Sequence, residues 1–124
     1  MLVDVKRHGL TGSKVSLLCD KVHITLNKNT IVGDKSAATP GGIRVGTPAI
    51  TTRGYNEADC RQVAHFLHEV IQLSCTLQKR SGSKKLTDFE KELDKSAEVK
   101  DLAARVTEFG SQFPMPAFNT TNVA

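Results

Sequence analysis

"TPGGIRVGTPA", residues 39–49, sets a single arginine between Ile43 and Val45, with Gly41 and Gly42 before it and Gly46 after it. The alternation makes a short strand in which Ile43 and Val45 point to one face and Arg44 to the other. The apolar pair is expected to meet the core, so Arg44 projects from the face that the core leaves uncovered. The flanking glycines put no side chain in the way and keep the approach to that face open. An arginine presented in this way can grip a carboxylate with two parallel hydrogen bonds. The plainer reading of the pattern is a solvated strand arginine paired with a surface acid, since one arginine specifies little.

Upstream, residues 28–42 form a long polar loop rich in Gly, Ser and Thr, a kind of segment that usually carries function or disorder. Its sequence contains no GxxxxGK[ST], so it is not a P-loop. Asn27 and Asn29 could read a polar ring by hydrogen bonding; a turn-rich loop accounts for them as simply. "HITLN" at 23–27 alternates and predicts a strand with Ile24 and Leu26 on one face. "LVDV" at 2–5 predicts another, with Val3 and Val5 opposite Leu2 and Asp4. Between them Thr11 offers a helix cap, and Val15, Leu18 and Val22 share one stripe. The first third thus reads strand, helix, strand.

Downstream, Pro48 opens a short helical turn. Asn56 caps a long helix whose core stripe is Val63, Phe66, Leu67, Val70, Ile71, Ser74 and Leu77, with Glu57 and Asp59 in its first turn. Lys79 and Arg80 load its last turn and Gly82 stops it. "TDFE" at 87–90 predicts a capping box with Thr87 as the cap and Glu90 as its partner. A last helix begins near Ser96, carries Val99, Leu102, Val106, Phe109 and Phe113, and ends at Pro114 and Pro116. The layout is α/β in the broad sense (α+β): a small three-stranded sheet with helices on one face. Residues 1–118 are expected to form one domain and 119–124 a frayed tail.

Composition bounds function only loosely. The 124 residues fit one domain, and 39% hydrophobic with 24% charged residues is an ordinary globular composition. No apolar run approaches a membrane span. The N-terminus has no signal-peptide pattern and reads as a strand beginning on the first residue, as though cut from something longer. The net charge is +4, but five Phe and one Tyr are too few for a stacking platform, so no nucleic acid is expected as primary partner.

Cys19, Cys60 and Cys75 are odd in number and widely spaced, which argues against a disulfide framework or structural zinc; all three fall in predicted helices as small buried hydrophobes. His65 and His68 stand one helical turn apart beside Glu69. HxxHE is not HExxH and no third ligand is near in sequence, so this pair reads as a polar helix flank and no metal is expected.

"LVDVKRHGLTGSKVSLLCDKVHITLNKNT", "GDKSAATPGGIRVGTPAITTRGY" and the ending "FPMP" resemble the C-terminal part of serine hydroxymethyltransferases of the eukaryotic kind, across roughly residues 2 to 118. The resemblance implies the small C-terminal domain of an aspartate-aminotransferase-like (fold type I) enzyme that uses pyridoxal 5′-phosphate. Such an enzyme interconverts serine and tetrahydrofolate with glycine and methylenetetrahydrofolate, in cytoplasm or mitochondria. It further implies that Arg44 binds the substrate carboxylate and Asn29 contacts the folate pterin. The implied partners are serine, glycine, folate, the large domain of the same enzyme and further copies in a homo-oligomer. The family's cofactor lysine, in a threonine-rich stretch ending in histidine and lysine, has no match here; "GSKK" at 82–85 is not that motif. The chain alone is therefore expected to be inactive and to contribute no catalytic or cofactor-binding residue. The alternative is a stand-alone, non-catalytic binding module that kept the fold.

Overall fold

Among the described residues three strands of three residues each make the sheet: β1 (Leu2–Asp4), β2 (Asn27–Asn29) and β3 (Gly42–Arg44). The computed structural model describes residues 1–34, 39–46, 48–82 and 85–113. β3 lies in the centre and pairs antiparallel with both neighbours, in the order β1-β3-β2. The register aligns Val3, Ile43 and Lys28 in one row, Leu2, Arg44 and Asn27 in the next, and Asp4, Gly42 and Asn29 on the other side. Because facing alternates along each strand, the last two rows share a face and the first row takes the opposite one. Ile43 is buried, Val3 half-buried and Arg44 exposed, as the alternation predicts.

Helix α1 (Gly12–Lys21) covers the Ile43 side. Thr11 caps it, accepting a hydrogen bond from the Lys14 N–H, and Val15, Leu18 and Val22 are fully buried. The predicted strand at 23–27 does not begin there. His23 takes φ +65°, its N–H reaches Asp20 O (3.3 Å), and the Ile24 N–H reaches Cys19 O (2.8 Å). That is a Schellman closure with histidine where glycine is usual. The backbone donors that a strand would need close α1 instead, and extended pairing starts only at Asn27.

Four more helices follow: α2 (Pro48–Thr52), α3 (Glu57–Ser81), α4 (Leu86–Lys95) and α5 (Ala97–Gly110). Asn56 and Asp59 form a reciprocal capping box at the start of α3, each bond 2.9 Å. Gly82 closes α3 at φ +64°. Phe66, Val70, Ser74 and Leu77 carry the buried stripe, with Val63, Leu67 and Ile71 half-buried beside it. Ser96 caps α5, accepting from the Val99 N–H. Helix α4 begins one residue before the predicted box, so Thr87 lies inside the helix and is not its cap. The Phe89 N–H donates to Lys85 O (3.2 Å), closing the first turn ahead of Thr87, and Phe89 and Leu93 are buried one turn apart.

The core joins α1 to α3, α4 and α5 through Leu18, Phe66, Val70, Leu77, Phe89, Leu93, Val99 and Leu102. Lys14 is buried inside it. Its ammonium donates to the Gln78 side chain and lies 5.8 Å from the Phe89 ring centre, and Gln78 Nε2 donates on to Gly9 O (2.8 Å). The far end of α5 is held by Arg53, whose guanidinium donates to Gly110 O (3.0 Å) and Phe113 O (2.9 Å). Tyr55 stacks on Phe113 at 3.8 Å between ring centres. Pro114, Pro116 and the expected tail at 119–124 lie outside the described residues.

Candidate functional site

Arg44 ends β3 and rises from the face opposite α1. Leu2 and Asn27 flank it on the neighbouring strands, and directly opposed Cβ atoms in such ladders lie about 4.5–5.5 Å apart. Asn29 sits two residues further along β2 on the same face, diagonal to Arg44. Its Nδ2 donates to Thr30 O at 2.7 Å. Among the described residues the Arg44 guanidinium has neither an acid nor a carbonyl partner, so the surface ion pair of the plainer reading is not formed. Asp4, on the same face, is engaged with the Lys6 N–H (2.9 Å). The face thus offers one unpaired cation and two amides around it.

The glycines before Arg44 serve a different purpose from the expected open approach. A Cβ on Gly42 would lie 2.5 Å from Ile31 Cγ2 and 2.8 Å from Val3 O. One on Gly41 would lie 2.6 Å from Lys6 Cδ and 2.7 Å from Asp34 Oδ1. Gly12 approaches from the helix side, and its Cβ would meet Gly42 O at 2.2 Å. These glycines let backbone, loop and helix close on one another. Gly46 alone fits the earlier expectation, with only Pro48 Cδ nearby at 3.5 Å.

The loop between β2 and β3 is fastened at both described ends. Asp34 Oδ2 accepts from Ile31 N (2.8 Å) and Gly41 N (2.9 Å), while Oδ1 meets Lys6 Nζ at 3.0 Å. The Gly41 N–H, then the Ile31 N–H and Lys6, hold this carboxyl down at about 2. The carbonyls of Pro40 and Gly41 accept from Gly12 N (2.8 Å) and Val5 N (3.1 Å). Asp34 and Lys6 were not singled out by the sequence reading. The signal available was the Gly33-Asp34 pair, where an aspartate can bond nearby backbone N–H groups.

The other candidates separate. His65 and His68 are exposed on α3. Their neighbour Glu69 is gripped by Arg105 at 3.0 and 2.7 Å, and that hydrogen bond lowers the Glu69 carboxyl. No group of three His, Cys, Asp or Glu residues suited to a metal occurs among the described residues. Only Cys19 is fully buried, its thiol pushed up to about 12 by burial and then by Asp20; Cys60 and Cys75 are half-buried, against the expectation for all three. Grooves of about 530 and 510 Å³ lie along the helices, around Leu73, Leu102 and Arg105 and around Tyr55, Cys60 and Arg61. Neither includes Arg44 or Asn29.

The profile of the family described as serine hydroxymethyltransferase matches residues 1–67, more than half of the 124. The chain belongs to the serine hydroxymethyltransferase family. The match takes in all three strands, α1 and the whole of the Arg44 face. Serine hydroxymethyltransferase 4 of Arabidopsis thaliana is 45% identical over 95% of this chain and 25% of its own length. A mitochondrial serine hydroxymethyltransferase of Candida glabrata and a cytosolic one of Neurospora crassa are each 38% identical over 94% of this chain and 25% of their own. The chain therefore spans about a quarter of the length of these relatives. No helix among the described residues is long and apolar enough to cross a membrane.

Pyridoxal 5′-phosphate, the cofactor this family implies, does not fit the described residues. A lysine that holds it must reach into a cavity. Lys14, the buried one, is occupied by Gln78 and packed among α1, α3 and α4, and Lys6 is paired with Asp34. Neither groove is bordered by a lysine.

Proposed function

We propose that this chain is the substrate-orienting part of a serine hydroxymethyltransferase: the small domain of a fold type I enzyme, with Arg44 as the carboxylate clamp and Asn29 as part of the folate site. The reaction is the interconversion of serine and tetrahydrofolate with glycine and methylenetetrahydrofolate. Pyridoxal 5′-phosphate is held by residues outside this chain, and the chain alone is inactive. The observation that carries the proposal is the unpaired Arg44, raised on the central strand with Asn27 and Asn29 on the same face.

An arginine without an acid costs little in water and becomes valuable when a substrate carboxylate replaces the solvent. Its planar fork fixes the carboxylate at two points, which fixes the rotation of the amino acid and decides which bond at its α-carbon faces the reacting partner. Asn29, diagonal on the neighbouring strand, offers an amide to a heteroaromatic ring with paired donors and acceptors. One sheet face then sets amino acid and folate at a defined separation. The relatives bear mitochondrial and cytosolic names alike, and either compartment suits this chain. As in the family, a homo-oligomer is the expected assembly.

The test is substitution of Arg44 in an enzyme that contains this segment together with the cofactor domain. Arg44→Ala should raise KM for serine sharply and lower kcat, with cofactor absorbance retained. Leaving the carboxylate unpaired should cost about 3 kcal/mol or more. Arg44→Lys should restore only part, because a point charge lacks the fork. Wild-type serine kinetics in either variant would remove Arg44 from the carboxylate site.

A further inference from the structure

The structure assigns Asp34 as a positioning residue: its carboxylate clamps the backbone at Ile31 and Gly41 and so fixes the strand carrying Arg44 relative to the strand carrying Asn29. The inference rests on the proposed roles of Arg44 and Asn29 and adds the device that sets their separation.

The two strands are joined by a long connection, and a loop of that length does not by itself hold its ends to a fraction of an ångström. Asp34 does so from within. A single oxygen, Oδ2, receives one N–H from two residues past the end of β2 and another from the residue preceding β3. The other oxygen is turned to Lys6, just beyond β1. One carboxylate thus ties together the ends of all three strands. The Asp34 side chain is only 6% exposed, and both clamped amides are made in its full charge-assisted form. Gly41 is then held from three directions: its N–H by Asp34, its carbonyl by Val5, and the adjoining Pro40 carbonyl by Gly12. Arg44 follows three residues later on a strand too short to absorb a displaced start. The lack of room for a Cβ at Gly41 and Gly42 marks how closely this joint is fitted.

The chemistry of the clamp separates its parts. Asparagine can place its carbonyl oxygen where Oδ2 lies and keep both backbone bonds, but as neutral bonds, and its Nδ2, a donor, then faces the Lys6 ammonium. Alanine loses everything. Lys6→Met removes the ammonium and leaves the clamp. Lys6→Met should therefore be mild, Asp34→Asn intermediate and Asp34→Ala severe.

Two measurements test this. In the chain itself, amide hydrogen exchange of Asp34→Ala should accelerate at Ile31 and Gly41 by roughly tenfold or more, the loss expected of a charge-assisted bond. The acceleration should spread to the β2–β3 pairing while α3 and α5 keep wild-type protection; Asp34→Asn should fall between wild type and Asp34→Ala. In the enzyme that includes this segment, Asp34→Ala should raise KM for serine and for tetrahydrofolate together by roughly tenfold, with Asp34→Asn recovering part of both. Faster exchange at Ile31 and Gly41 with the β2–β3 pairing unaffected, or wild-type KM values in Asp34→Ala, would overturn the positioning role. Arg44→Ala measured in parallel separates the two ideas. If it leaves serine KM unchanged, the carboxylate clamp has failed; if it raises KM and Asp34→Ala does not, only the positioning role has.

Discussion

Asp34 illustrates how much one side chain can decide. It is an acid in a polar loop, yet it is nearly enclosed and accepts two backbone N–H bonds and an ammonium. Those donors favour the ionised form, so the carboxyl, ordinarily near 3.8, stays charged down to about 2. A folded-state value below the unfolded one contributes stability that is fully present above the unfolded value and is lost as pH falls through the folded one. The stability advantage of the wild-type chain over Asp34→Asn should therefore be constant above about pH 5 and shrink between about pH 4 and pH 2. Denaturant unfolding of both proteins at steps across that range measures it. A gap that persists unchanged to pH 2 would mean that the carboxylate is not held ionised by these donors. Arg44 lies at the opposite extreme: its conformation is set by its strand alone and its charge is left for something else to meet.

At the scale of elements, the fold depends on α1 resting its first turn on the start of β3. Gly12 N donates to Pro40 O, and the Gly12 Cα faces the Gly42 carbonyl with no room for a methyl. Gly12→Ala should push the helix off the strand even though alanine favours helix by about 1 kcal/mol. Backbone atoms cannot yield as a flexible side chain does, so a net loss of about 1–3 kcal/mol is expected, typical of overpacking. Thermal unfolding reads the sign, and a neutral or stabilised Gly12→Ala would show that α1 can slide along β3. The other element boundaries follow local rules where a side chain meets them. Asn56 and Asp59 start α3, Ser96 starts α5 and Gly82 ends α3.

For the whole molecule, the helices enclose one core on one side of the sheet, and the other side carries Arg44, Asn27, Asn29 and Asp4. Two of the described lysines are engaged within the fold, Lys14 in the packed interior and Lys6 on Asp34. Incubated with pyridoxal 5′-phosphate and then borohydride, the chain should incorporate cofactor only sparsely and over several surface lysines, and should not cleave serine. Mass mapping of the reduced adduct checks this. Stoichiometric labelling of one lysine here, with serine cleavage, would move the chemistry into this chain.

Family membership, the outward facing of Arg44 and the main helices with most of their caps were legible in the sequence. Family membership rests on a resemblance over long stretches; the others rest on residues a few positions apart: alternation around Arg44, three- and four-residue steps in α3, side chains reaching the next turn at Thr11 and Asn56. Tertiary structure alone decided the rest. His23 closes α1 where alternation predicted a strand, because the donors at 23 and 24 return to the helix. Gly41 and Gly42 are small on account of Lys6, Ile31 and Val3, and Gly12 on account of the Gly42 carbonyl. Asp34 works because Gly41 and Lys6 come to it from seven residues later and a strand earlier. Local pattern reports what a residue does to its own turn or pleat; close packing between distant segments is a property of the folded chain, and it is there that the joint beneath Arg44 is made.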